Sequence, residues 1–156
     1  VEAVMEVNEA QKKRMIGKIT GALDNKLKGK IIAVLGLTFK PETDDMRDAP
    51  SLTILPKLLE NGAEIRAHDP HGIDEAQKLL PEGIVYINDL YKIFINVDAV
   101  LLLTEWNEYR GLNLDKIKKL MRSNKFIDLR NVYEPELMRS NGFEYFCIGR
   151  PLKNSK

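Results

Sequence analysis

Ile31-Ile32-Ala33-Val34-Leu35 is an unbroken apolar run rich in β-branched residues, entered from Lys28-Gly29-Lys30 and closed by Gly36. With odd and even positions both apolar, it has no polar side to turn toward water. The run therefore predicts a strand buried on both faces. Such a strand fits the interior of a sheet with helices on either side. Similar runs recur at residues 64–68, 84–87, 99–104, 125–129 and 144–148. Stretches at 51–59, 74–80, 90–95, 114–121 and 135–139 carry helical spacing between them. Alternation of this kind predicts an α/β, three-layer Rossmann-like fold with a parallel sheet of about six strands.

Boundary residues agree with that alternation. Asn61-Gly62 and Asn141-Gly142 fall where helices should end, because both residue types tolerate a left-handed C-cap. Asp69-Pro70 and Arg150-Pro151 close strands, and the polar tail 153–156 reads as disordered. Residues 1–27 space Val4, Val7, Met15, Ile19 and Leu23 along one helical face. No capping residue precedes Val1, so the expectation is that this helix continues upstream in the natural chain.

A chain of 156 residues, 44% hydrophobic, has material for one domain with a core. Its 24 basic and 23 acidic residues leave a net charge of +1, which provides no field for a nucleic-acid backbone or an anionic membrane. The apolar runs are too short to cross a bilayer and no secretory leader is visible, so the reading is cytoplasmic, with no nucleic-acid or membrane partner. Cys147, the single cysteine, lies in an apolar-aromatic run and is expected to be a buried, inert thiol.

Ligands of an open parallel sheet gather at the carboxyl ends of its strands. The turn after the first strand, residues 36–51, is too long for a routine connection. It supplies Lys40 and Arg47 as cationic donors and Thr38 and Thr43 as hydroxyls, ahead of a helix whose first amides would face the same edge. Glu42, Asp44, Asp45 and Asp48 offer those cations internal partners instead, so anion binding and a self-neutralised loop both stay open.

The G-x-G-x-x-G fingerprint is absent here, which argues against a main dinucleotide site. Asp69 stands where such folds bind a ribose diol, or it caps a local amide. Arg130 either grips a phosphate or pairs with Asp128 or Glu134. His68 and His71 lack companions at metal-ligand spacing, and Cys147 has no neighbouring base. No catalytic set emerges, and the domain reads as a binder.

The loop Gly36-Leu37-Thr38-Phe39-Lys40-Pro41-Glu42-Thr43-Asp44-Asp45-Met46-Arg47-Asp48-Ala49-Pro50-Ser51 resembles, almost residue for residue, the signature loop of the UDP-glucose/GDP-mannose dehydrogenase family, and within it the bacterial UDP-glucose 6-dehydrogenases. Leu103-Thr104-Glu105-Trp106-Asn107-Glu108-Tyr109, Asp128-Leu129-Arg130-Asn131, Gly142-Phe143-Glu144-Tyr145 and Ile148-Gly149-Arg150 match further family segments in the same order.

The resemblance implies a division into residues 1–27, the end of a central linker helix, and 28–156, a UDP-sugar-binding domain. It implies a full-length enzyme that takes UDP-glucose to UDP-glucuronate in two NAD-dependent steps through a catalytic cysteine that has no counterpart here. The fragment alone is expected to be inactive. The cofactor would be NAD, held mainly by an N-terminal domain of the same chain, and the full-length protein would be a homo-oligomer. Phe39, Lys40 and Arg130 correspond to substrate-binding positions and Arg47 to a cofactor-binding one. The alternatives are a related UDP-N-acetylmannosamine or GDP-mannose dehydrogenase, or a stand-alone nucleotide-binding module.

Overall fold

The computed structural model describes the backbone of residues 2–148 and the side chains of residues 9–148. The strand end at Arg150-Pro151 and the tail 153–156 lie outside the described residues, as does the segment end Gly149-Arg150. The chain runs α1 (Glu2–Ala22), β1 (Ile31–Leu35), α2 (Ser51–Glu60), β2 (Glu64–His68), α3 (Ile73–Leu79) and β3 (Ile84–Tyr86). A 3-10 turn (Leu90–Phe94) leads to β4 (Ala99–Leu102), and a shorter one (Asn107–Tyr109) to α4 (Leu114–Leu120). The second half closes with β5 (Lys125–Asp128), α5 (Pro135–Ser140) and β6 (Glu144–Cys147).

Among the described residues, six strands form one sheet in the order β3-β2-β1-β4-β5-β6, and every neighbouring pair is parallel. The order reverses between β1 and β4. These are the most deeply buried strands: Ile32 to Leu35 and Ala99 to Leu102 have no exposed surface. The continuous apolar runs thus mark the centre of the sheet.

Side chains alternate between two cores, as the two-residue strand period requires. One face buries Ile32, Val34 and Leu101 beneath α1, α2 and α3. The other buries Ala33, Leu35, Val100 and Leu102 beneath Phe94, Trp106, Tyr109 and Ile117. The second half of helix α1 takes part, because Met15, Ile19 and Ala22 lie in the first core, followed by Leu23 just beyond the helix.

Two local readings shift. Helix α1 stops at Ala22 instead of continuing to Leu27, because Asp24 (φ 57°) and Asn25 (φ 60°) adopt the left-handed conformation that these two residue types tolerate best outside glycine. Residues 90–94 form a 3-10 turn where a helix was expected, a tighter and more extended winding that suits a short crossover. At the expected C-caps, glycine takes the left-handed position: Gly62 has φ 90° and Gly142 φ 89°, and in each case the following amide reaches back to the helix, Ala63 to Leu58 and Phe143 to Met138.

Candidate functional site

Gly36 ends β1 with φ +94°, and a Cβ placed there would lie 2.5 Å from the Cβ of Thr104, just beyond β4. The chains leaving β1 and β4 touch at this point and stay bonded beyond it, Thr104 and Trp106 to Thr38. The strand order reverses between these two strands, and the carboxyl ends beside such a reversal are where ligands of an open parallel sheet gather.

The loop leaving β1 is held by buried polar groups. Asp69 Oδ2 accepts from the amides of Leu37 (2.7 Å) and Thr38 (3.1 Å), and Oδ1 from those of His71 (2.9 Å) and Gly72 (2.7 Å). With four amides on it, this carboxylate serves the turn; it is the local cap, and the ribose-diol alternative is set aside. Thr104 Oγ1 donates to the Thr38 carbonyl (2.7 Å), Trp106 Nε1 to Thr38 Oγ1 (3.2 Å) and Ser51 Oγ to the Leu37 carbonyl (2.6 Å). The root of the loop is therefore fixed from two strand ends, those of β2 and β4, and from the start of α2, while Phe39 and Lys40 project beyond it and are exposed.

Arg130 is set in place differently. Asp128, fully buried at the end of β5, accepts from the amides of Arg130, Val132 and Tyr133 and from the Tyr145 hydroxyl. This closes a tight turn, with Asn131 left-handed at φ 55°. The guanidinium then makes two parallel bonds to Glu105, Nε to Oε1 at 3.1 Å and Nη2 to Oε2 at 3.0 Å. Both partners are partly buried. Burial pushes the Glu105 carboxyl upward, but the Arg130 hydrogen bonds, its own backbone amide and the guanidinium charge outweigh it and leave Glu105 below its ordinary value. Of the partners weighed from sequence, Asp128 holds only the backbone amide of Arg130, and the guanidinium pairs with Glu105 instead of Asp128 or Glu134.

Phe39 and Arg130 share one cavity of about 270 Å³, with Asp48 and Pro50 from the long loop on its wall. Its remaining wall comes from α1, through Gln11, Lys12 and Met15. Lys40 is absent from this lining, although it follows Phe39 directly. Arg47 lies in a separate, shallower depression with Asp45, Leu52 and Glu75. Its guanidinium, 89% exposed, pairs with Asp45 at 3.0 Å. Hydrogen bonds from the Arg47 side chain and amide hold the Asp45 carboxyl down at about 2. The four predicted site residues thus divide: two meet in one cavity, one sits beside it on the loop and one is an outward-facing, self-paired arginine.

The remaining candidates are structural. His68 Nδ1 lies 2.7 Å from the Tyr109 hydroxyl, which also lies 3.1 Å from the His68 carbonyl, so the ring is fixed in the core. His71 stacks on Trp106 with ring centres 5.1 Å apart. Cys147 is half-buried on β6 and not fully buried as expected. Sequence reasoning missed Gln11, Lys12, Met15 and Glu105. The Glu-Trp segment drew attention by its place after β4, but nothing local ties Glu105 to an arginine 25 positions away.

A parallel sheet ordered 3-2-1-4-5-6, reversing between β1 and β4, defines the class: a doubly wound, Rossmann-like domain. Residues 33–135 match the UDP binding domain of the UDP-glucose/GDP-mannose dehydrogenase family, and the chain belongs to that family. It is 42% identical over 151 residues to UDP-glucose 6-dehydrogenase of Rhizobium meliloti (strain 1021), covering 97% of this chain and 34% of that protein. It is equally similar, at 42% over 151 residues, to UDP-glucose 6-dehydrogenase TuaD of Bacillus subtilis (strain 168), covering 97% and 32%. The chain spans about a third of the length of the curated relatives it matches.

Among solved structures, an NDP-N-acetyl-D-galactosaminuronic acid dehydrogenase of Methanosarcina mazei Go1 superposes with a TM-score of 0.80 at 31% identity, covering 93% of this chain and 30% of that one. A UDP-glucose dehydrogenase of Pyrobaculum islandicum superposes with a TM-score of 0.73 at 29% identity, covering 93% and 31%. Among the described residues, no helix is long and apolar enough to cross a membrane.

Proposed function

We propose that this chain is the C-terminal UDP-sugar-binding part of an NAD-dependent UDP-glucose 6-dehydrogenase, which oxidises UDP-glucose to UDP-glucuronate in two steps. The single observation that carries the reading is the cavity shared by Phe39 and Arg130, built from the loop after β1 and the turn after β5 at the carboxyl ends of the sheet. An aromatic edge and a preset guanidinium suit a sugar nucleotide, one by apolar contact and the other by charge-assisted bonds to its diphosphate. Lys40, exposed one residue beyond Phe39, is assigned to the same ligand from outside the cavity.

Sequence relatives favour UDP-glucose as the sugar, whereas the folds of dehydrogenases acting on other sugars superpose comparably. Residues 1–27 are assigned to a linker helix and 28–156 to the binding domain of a homo-oligomeric protein, and the relatives' greater length leaves room for the NAD-binding domain and the catalytic cysteine elsewhere in it. This domain's own strand ends do not suit a dinucleotide, since the glycine fingerprint is missing and Asp69 is engaged by four amides. Arg47, projecting from the loop, is the one residue assigned toward NAD.

Titrating the isotope-labelled chain with UDP tests the site. Amide shifts are expected across residues 36–47 and at Arg130, and Arg130→Ala should weaken binding about tenfold, the worth of one charge-assisted contact. Shifts confined to other regions would reject the assignment.

A further inference from the structure

The wall of the cavity opposite Phe39 is helix α1, and it carries a cation. Lys12 is only 15% exposed in its side chain, although a lysine on a solvent-facing helix normally extends into water. Its carboxylate neighbour, Glu9, is 3.8 Å away and 61% exposed, an arrangement of the kind that contributes little to stability. Arg130, by contrast, has two of its donor nitrogens committed to Glu105 at 3.0–3.1 Å, so much of its charge is already balanced. Asp48, exposed on the same wall, opposes any anion that enters. A diphosphate drawn to this cavity therefore requires a second positive group. Among the residues lining the cavity, the other cation is Lys12.

We infer that Lys12 of α1 is a phosphate-binding residue of this site, acting across the cavity from Arg130, so that the helix supplies part of the ligand site in addition to packing the core. The inference rests on the UDP-sugar reading of the Phe39 and Arg130 cavity and adds a third element to it. The placement of Lys12 follows from packing on the same helix. Met15 and Ile19 are buried in the core, and Lys12 precedes them by three and seven positions, on the helical face that turns inward. Lys13 falls on the exposed face.

The test compares Lys12→Gln, Lys13→Gln and Arg130→Ala in the intact chain, by calorimetric or chemical-shift titration with UDP and separately with uridine. Lys12→Gln is expected to weaken UDP about fivefold and to leave uridine within about twofold, because the lost contact is to phosphate. Lys13→Gln should bind UDP as the parent does. A Lys12→Gln protein that keeps parental UDP affinity while Arg130→Ala loses it would overturn the inference and leave the functional reading standing. Equal losses for UDP and uridine would also overturn it, since the helix would then be acting through packing alone. UDP that perturbs neither Phe39 nor Arg130 would remove the site itself, and the inference with it. Matching unfolding midpoints of the three variants would confirm that the comparison is between folded proteins.

Discussion

At the scale of single residues, the loop after β1 and the network behind it have different responses to pH. The Asp45 carboxyl is held at about 2 by the Arg47 side chain and amide, below the 3.8 of an unperturbed aspartate. A depressed carboxyl contributes its share above the unfolded value and loses it as pH falls through the folded one. The Arg47–Asp45 pair should therefore persist to about pH 2, and carbon-detected titration of Asp45 should find its midpoint there. Burial lowers His68 below its ordinary 6.5, against the opposing pull of Glu108 and Asp69. The unfolded chain then takes up a proton that the folded one resists. Stability is complete above pH 6.5 and declines as pH falls below it. Urea midpoints measured from pH 8 to 5 should show that decline, and His68→Gln should flatten it.

Residue-level assignments drew unevenly on the sequence. Lys40, Arg47 and Arg130 stood out as cations at strand ends and Phe39 came from its motif position alone, and two of these four meet in one cavity. The partner of Arg130 was beyond reach, because a 25-residue separation is resolved only once β4 and β5 lie side by side. Asp69 was legible as an Asp-Pro turn, and its four amide contacts bear out the plainer of its two readings.

At the scale of elements, strands were easier to read than their ends. A continuous apolar run states its own burial, so β1, β4 and β5 were found within one or two residues. Terminal positions depend on individual dihedrals such as those of Asp24 and Asn25, which composition does not convey. The contact between the chains leaving β1 and β4 makes a sharp prediction. Gly36→Ala would force a methyl to within 2.5 Å of the Thr104 Cβ while holding alanine at a positive φ. The cost should reach at least about 2 kcal/mol, combining steric overlap with a strained backbone. Chemical denaturation would show it as a lowered midpoint. A variant as stable as the parent would mean that the two chains can separate there.

For the molecule as a whole, the shared burial of α1 and the sheet predicts one cooperative structure. Ile19 is fully buried in the core shared with α2 and β1. Ile19→Ala should cost about 2–5 kcal/mol, as for other large-to-small changes in a packed core. Unfolding followed by far-ultraviolet dichroism and by Trp106 fluorescence should remain a single coincident transition. A separate early loss of helix would mean that α1 is merely attached. The sequence supported the layered architecture because alternating strands and helices allow few arrangements. It did not reveal that the opening helix covers the sheet, because its apolar spacing fits several surfaces equally well.

The reversal between β1 and β4 has an architectural consequence. Each neighbour along the backbone pairs outward from the middle, so the first three strands and the last three form two blocks that meet along a single seam. The cavity straddles that seam, with Phe39 on one block and Arg130 on the other. A chain severed near Asn96, in the connection that joins the blocks, would yield two pieces that each hold half a receptor, and ligand recognition would report their reunion.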